Sequence, residues 1–300
     1  MQTTLDELQA FAAVVDTGSI TAASEQLTLT ISAVSRTLAR LEKKLQTTLL
    51  RRTTRRLELT EEGAAFLLHA RAILAAVDAA EEQMAARRQR PVGRLRLDAA
   101  TPFMLHVIVP LLAGFRAQYP DIELELHSNE GIIDLLEKRT DVALRIGALR
   151  DSTLHARPVG TSRIRVLASP AYLKRHGTPR TPAGLDRHTL LGFSQPDALN
   201  LWPLRNAQGD GLQIKPAIAS SSGETIRQMA LADLGIACLS DFMTGADRRA
   251  GRLVPLLAAH TVEERQAINA VYYRNTALAP RITCFLDYLA GALGERPFED

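Results

Sequence analysis

Residues 19–56 read SITAASEQLTLTISAVSRTLARLEKKLQTTLLRRTTRR. Ile20, Ala23 and Leu27 share one helical face, and after Thr28-Leu29-Thr30 the residues Ile31, Val34, Leu38, Leu41 and Leu45 recur at steps of three and four. That spacing predicts two amphipathic helices rather than strands. Two helices with a tight connection form a helix-turn-helix, whose second helix enters the DNA major groove. Ser19 and Thr30 are candidate N-caps, because a side-chain oxygen there satisfies the free amides of the first turn.

Charge points the same way. Residues 1–30 hold no Lys or Arg, whereas Arg36, Arg40, Lys43, Lys44, Arg51, Arg52, Arg55 and Arg56 face only Glu42 within 36–56. Such a patch is the electrostatic footprint of phosphate binding. The competing explanation is a solvated basic face on an ordinary helix pair.

Residues 5–63 resemble the N-terminal domain of the LysR-type transcriptional regulators. The pieces LDELQAFAAVVDTGSITAASEQL, SAVSRTLARLEKKL and LLRRTTRRLELTEEG carry the resemblance, in order and in register. Three positions depart from the family pattern: a polar residue is usual where Ile31 stands, a Gly where Gln46 stands and a Phe where Leu50 stands. The last two are expected to be tolerable loop and core variations. Ile31 opens the recognition helix and cannot hydrogen-bond a base edge; it either contacts a thymine methyl or packs inward.

In chain order, a helix is expected over Leu5–Asp16, with Leu5, Leu8, Phe11, Ala12 and Val15 facing the helix-turn-helix and Gly18 near its end. By the resemblance, Thr30, Ile31, Ser32, Ser35 and Arg36 face DNA while Val34, Leu38 and Leu41 make core. Ser35 and Arg36 suit phosphate, and Ser32 a base edge or phosphate. None of the five gives a certain bidentate base pairing, so shape readout contributes. Residues 51–59 read as a two-stranded wing with a basic tip, in which Arg52 and Arg55 are the first choices for backbone or minor-groove contact and Arg51 and Arg56 the next.

Thr60-Glu61-Glu62 starts a further helix, with a cap oxygen followed by acids at the positive dipole end. Phe66, Ala70, Ile73, Val77, Ala80 and Met84 form an a/d seam along it. A helix from Thr60 to Gln89 would span about 45 Å. Such a seam packs either on its own globular part or on a second subunit, and the resemblance implies the latter. Two subunits would present two recognition helices to pseudo-palindromic half-sites, as a dimer or tetramer.

Arg87-Arg88-Gln89-Arg90-Pro91-Val92-Gly93 reads as a linker. Beyond it, strands are expected at Arg94–Asp98, Ile122–His127, Val142–Ile146, Ile164–Ala168, Ile214–Ala219, Ile236–Leu239 and Ala267–Tyr273. Helices are expected from Thr101 towards Gln118 (irregular at Pro110), at Ile132–Arg139, near Ala171–His176, at Glu224–Leu234 and at Pro280–Leu293. This alternation predicts α/β sheets built mainly from parallel strands. DVALRIGALRDSTLHARPVG, RVLASPAYLKRHG, LADLGIACLSDF, AGRLVPLL and APRITCFLDYL resemble the effector-binding domain of the same family. The expected fold class is thus a two-part chain. A winged helix-turn-helix (1–59) and a linker or dimerisation helix (60–93) precede a periplasmic-binding-protein-like, two-lobed α/β effector domain (94–300). Lobe one is 94–165 and 267–300, lobe two is 166–266, and two crossing strands form the hinge.

Strand C-termini and helix N-termini at the cleft are where a small molecule would bind. Ala100, Thr101 and Pro102 form one corner, and Ser221 and Ser222, within the run Ser220–Gly223, form another. The Ser and Thr residues there serve equally well as N-caps. Ser128, Arg145, Ile146 and Gly147 complete a ring, with Phe193 and Trp202 as an apolar wall or as core. Arg145 favours a carboxylate effector, unless Asp141 or Asp151 neutralises it.

The net charge of +3 over 300 residues makes the basic patch a local feature. No apolar run reaches the length of a spanning helix, and MQTTLDELQAF lacks a basic and apolar signal pattern. The expectation is a cytoplasmic protein with no membrane partner. Cys238 and Cys284 are expected as small buried hydrophobes, a redox switch being the lesser alternative. No phosphate loop, G-x-S-x-G, H-E-x-x-H or Cys/His cluster is present, so no catalytic residue, metal or cofactor is expected. The leading expectation is a ligand-responsive regulator with double-stranded DNA, further copies of itself, a small effector and RNA polymerase as partners. A transporter's solute-binding protein shares the lobes but not the first ninety residues.

Overall fold

The computed structural model describes residues 3–52, 57–86, 91–131, 135, 140–149, 154–273, 279–294 and 298, with backbone alone for 52, 57, 79 and 81–86. The N-terminal part consists of α1 (Leu5–Thr17), α2 (Ile20–Gln26), α3 (Ile31–Leu45), β1 (Leu50–Arg52), β2 (Leu57–Leu59) and α4 (Glu61–Ala86). Thr4 and Glu7 close a capping box on α1, each side chain taking the other's backbone N–H. Ser19 Oγ accepts from Ala22 N–H and Thr30 Oγ1 from Ala33 N–H, so both expected caps form. Leu8, Phe11, Val14, Val34, Leu38 and Leu41 share one core with Leu49, Leu50 and Leu67.

Two backbone details set the geometry between α3 and α4. Gln46 caps α3 in the left-handed region at φ 53°, where a side chain is strained and glycine is not. Gly63 lies so close to β1 that an added Cβ would stand 2.1 Å from Leu49 O. Thr60 Oγ1 locks the same junction, accepting from Gly63 N–H and donating to Thr48 O.

The expected seam on α4 is corrected at its start. Phe66 packs against Phe11, ring centroids 5.7 Å apart, Ala70 is buried in the N-terminal core, and Arg71 pairs with Asp16. These positions serve the chain's own domain, because α1 crosses the first half of α4. Val77 is half-buried, whereas Ile73 (40% exposed) and Ala80 face outward. The Met84 side chain and residues 87–90 lie outside the described residues.

The second part runs β3 (Gly93–Ala99), α5 (Thr101–Phe103), a π-helical turn (Met104–Ile108), α6 (Val109–Gln118), β4 (Ile122–Ser128), β5 (Val142–Ile146), β6 (Leu154–Ala168), α7 (Pro170–His176), β7 (Leu190–Phe193), β8 (Leu201–Asn206) and β9 (Gly209–Gln213). It continues with β10 (Ile218–Ser220), α8 (Gly223–Leu231), β11 (Ile236–Ser240), α9 (Asp241–Arg249), β12 (Val254–Pro255), β13 (Arg265–Tyr273) and α10 (Pro280–Leu293). The irregularity expected near Pro110 is the π turn. Val109 N–H reaches back to Met104 O there, ahead of a proline with no N–H to give.

One hydrogen-bonded path orders the strands β10-β7-β11-β6-β13-β5-β3-β4, with β12 on β6. The sheet is mixed rather than mainly parallel. β6 and β13 run antiparallel to each other, and each is antiparallel to its neighbour in its own lobe. β6 is a single strand of 15 residues that pairs with β13 up to Arg163 and with β11 from Ile164. β6 is therefore the strand that both halves of the sheet share. The strand expected over Ile214–Ala219 is split: Ile214 turns into the lobe-two core, and Pro216 cannot donate to a ladder, so pairing resumes at Ile218. Most of the expected helix 132–139 lies outside the described residues.

Candidate nucleic-acid interface and inter-lobe cleft

On α3 the buried stripe is Val34, Leu38 and Leu41. Opposite it, Thr30, Ile31, Ser32 and Arg36 are exposed and Ser35 is half-buried. Ile31 is 52% exposed, so of its two expected placements it takes the outward one, beside an equally exposed Leu29. Thr30 Oγ1 and Ser32 Oγ lie 3.2 Å apart.

The basic patch divides into two groups. Arg40 Nε stands 2.6 Å from Glu7 Oε1, and Lys44 Nζ stands 2.8 and 2.9 Å from the two Glu7 oxygens. Glu7 is fully buried. Burial pushes its carboxyl up, but the bonds from Lys44, Arg40 and the Thr4 amide outweigh that and hold it at about 2. Two of the eight cations in the basic patch are thus structural, tying α3 to α1. Glu42 is structural too, accepting from Leu49 and Leu50 N–H. Arg36 and Arg51 remain exposed, Arg51 pairing across the wing with Glu58 in the β1–β2 register. Arg52 ends β1 with its side chain outside the description, and Arg55 and Arg56 lie outside the described residues.

Between the lobes is a cavity of about 270 Å³. Of the expected effector residues, Ala100, Pro102, Arg145, Ile146, Phe193 and Ser221 line it. Thr101, Ser128, Gly147, Trp202 and Ser222 do not. Trp202 is 1% exposed in the lobe-two core with Tyr172, Leu204 and Ile214, so it is core and not wall. Ser128 ends β4 facing solvent, and the next residue, Asn129, turns in. Ser222 occupies the N-cap position of α8, but its side chain makes no capping bond. Ala100, not Thr101, is the N-cap residue of α5.

Among the described residues the acid beside Arg145 is Asp98, and of the two expected partners Asp141 turns elsewhere. Arg145 Nη1 lies 3.4 Å from Asp98 Oδ1 and 3.4 Å from Gly131 O, while Asp141 pairs with Arg281 at 3.1 Å. Asp151 lies outside the described residues. Asp98 is fully buried at the end of β3 and also takes the Asn129 side-chain amide. Burial pushes its carboxyl up, against the pull of Asn129 and Arg145. The sequence reading missed Asp98, Asn129, Ser240 and Gln266. An acid at the end of the alternating strand Arg94-Leu95-Arg96-Leu97 was the one available signal. Ser240 Oγ donates to Gln266 Oε1 at 2.5 Å, linking β11 to β13 across the cleft floor.

Cys238 lines the cavity and is buried, while Cys284 is only half-buried. Among the described residues no helix is long and apolar enough to cross a membrane.

Comparison with known proteins matches both parts. Residues 5–64 match the family described as bacterial regulatory helix-turn-helix protein, lysR family, and residues 88–294 match the LysR substrate binding domain. The HTH-type transcriptional regulator CrgA of Neisseria meningitidis is 48% identical over 98% of this chain and 98% of its own. The solved structure of CrgA superposes with a TM-score of 0.68 at 47% identity, covering 98% of this chain and all of that one. The HTH-type transcriptional activator AaeR of Escherichia coli is 31% identical over 95% of this chain and 92% of its own. The chain belongs to the LysR-type transcriptional regulators, with a DNA-binding helix-turn-helix domain followed by an effector-binding domain.

Proposed function

We propose that this regulator binds pseudo-palindromic duplex DNA as a homodimer or tetramer in the cytoplasm, with α3 in the major groove and the β1–β2 wing along the backbone. A small effector occupies the inter-lobe cleft. Residues 1–59 read DNA, 60–93 pair subunits and 94–300 sense the ligand. The carrying observation is the first turn of α3. Its core positions are buried while Thr30, Ile31, Ser32 and Arg36 stand exposed. Arg40 and Lys44, one and two turns on, are held back by Glu7.

Pairing through α4 is supported by Ile73, Ala76 and Ala80, which stay exposed at steps of three and four on the side turned away from α1. Effector binding changes affinity for DNA only if it favours one lobe arrangement over another, and the two crossing strands supply such a hinge.

Fluorescence anisotropy on duplexes selected from genomic fragments tests the DNA reading. The expected result is steeply salt-dependent binding to half-sites about one helical turn apart. In parallel, sedimentation of Ile73→Glu is expected to show loss of subunit pairing. A monomeric wild type indifferent to duplex at low salt would refute the proposal.

A further inference from the structure

We infer that the inter-lobe cleft takes an uncharged, largely apolar small molecule with a hydrogen-bond acceptor, and not a carboxylate. This rests on the reading of the cleft as the effector site and specifies its ligand.

Among the described residues lining the cavity, Arg145 is the one cation, and its charge is already committed. Its guanidinium faces the Asp98 carboxylate, which is wholly shielded from water and has Asn129 as its other side-chain partner. An incoming carboxylate either shares a guanidinium whose charge Asp98 already offsets, and so gains less from it, or draws Arg145 away and leaves a buried anion without its cation, which costs more than one new ion pair returns.

The approach to the cavity is also unfavourable to anions. Glu130 and Glu264 both line it and are exposed, so an anion meets two like charges at the mouth. Both are exposed, so their push on an anion and their pull on a cation are screened alike and stand second to the Arg145–Asp98 pairing. Leu144, Leu239 and Met243 are buried walls, joined by Phe193, Phe242 and Ile164. Such a lining favours apolar bodies fixed by a few polar groups. Gln266 is one of those groups: its oxygen accepts from Ser240, and its amide N–H groups remain donors for an acceptor on the ligand.

Calorimetric titration of the full-length protein with benzamide, benzoate and benzylammonium, which share one ring, tests this. Benzamide is expected to saturate the protein at least about tenfold tighter than either ion. Asp98→Asn releases Arg145 and is expected to raise benzoate affinity by about tenfold while leaving benzamide within about twofold. Should that variant fail to fold, Glu130→Gln combined with Glu264→Gln, both at exposed positions, is expected to raise benzoate affinity at low salt by more than it changes benzamide affinity. Tighter binding of benzoate or benzylammonium than benzamide to the wild type overturns the inference, as does saturation by none of the three. Benzamide binding to Ser221→Phe as tightly as to the wild type shows that the ligand sits elsewhere, and the effector-site reading then fails. DNA binding, measured separately, is untouched by any of these outcomes.

Discussion

His106 Nε2 lies 2.7 Å from Glu224 Oε2, joining the π turn of the first lobe to the first turn of α8 in the second. Glu224 also holds Arg227 and Gln228, and Arg227 passes the contact inward to the buried Asp247. Burial pushes the Glu224 carboxyl up, but Gln228, His106 and Arg227 together leave it below the ordinary carboxylate range. Glu224 is therefore ionised at neutral pH and ties the lobes on the helix side of the cleft.

Replacing His106 with Ala removes that tie and leaves Glu224 its partners within α8. The expected loss of stability is only about 1 kcal/mol, as for one hydrogen bond. The lobes should open, raising the radius of gyration in small-angle scattering. A scattering curve unchanged from wild type would show that packing around Pro102 and Gly223 holds the lobes without it.

Glu7 makes the N-terminal domain acid-sensitive. Despite burial, its bonds to Lys44 and Arg40 hold it at about 2 in the fold, below the ordinary 4.5, so its contribution is present above pH 4.5 and is lost as pH falls towards 2. The shift corresponds to about 3 kcal/mol at neutral pH. Urea denaturation should show Glu7→Gln destabilised by about that amount at pH 7 and converging on wild type near pH 2. A difference independent of pH would mean that Glu7 acts through packing alone.

Arg36 and Arg40 lie one turn apart on α3 and should behave differently. Arg36→Ala is expected to lower the slope of log affinity against log salt by about 1 with little change in stability. Arg40→Ala should instead cost stability, because it strips a partner from buried Glu7, and should keep the salt slope. Equal loss of slope in both variants would place the Arg40 guanidinium on phosphate.

Gln46→Gly should stabilise the fold by about 1 kcal/mol, since φ at this C-cap is positive and a Cβ there is strained. Thermal unfolding followed by circular dichroism measures it. A lower melting temperature would show that the Gln46 side chain contributes more than its backbone strain costs.

The helices of the first domain, their caps and the turn between them were legible because each depends on residues within a turn or two. Ser19 and Thr30 cap neighbours three residues away, and the apolar steps of α3 alone define its buried face. The outward position of Ile31 was not legible, since periodicity places it on the border of that face. The start of the α4 seam misled for a similar reason. Phe66 and Ala70 have the right spacing for a subunit contact, but α1 already lies against them.

Sequence by itself determined the order of domains, the helix-turn-helix and the family, all of which rest on short-range pattern and motif. Tertiary structure alone decided what the charges do. Arg40 and Lys44 meet Glu7 from 33 and 37 residues away, and Arg145 meets Asp98 from 47. A basic side chain looks the same in sequence whether it awaits a phosphate or already neutralises a buried acid. Only the folded chain brings the acid to it, and burial then makes that pairing obligatory.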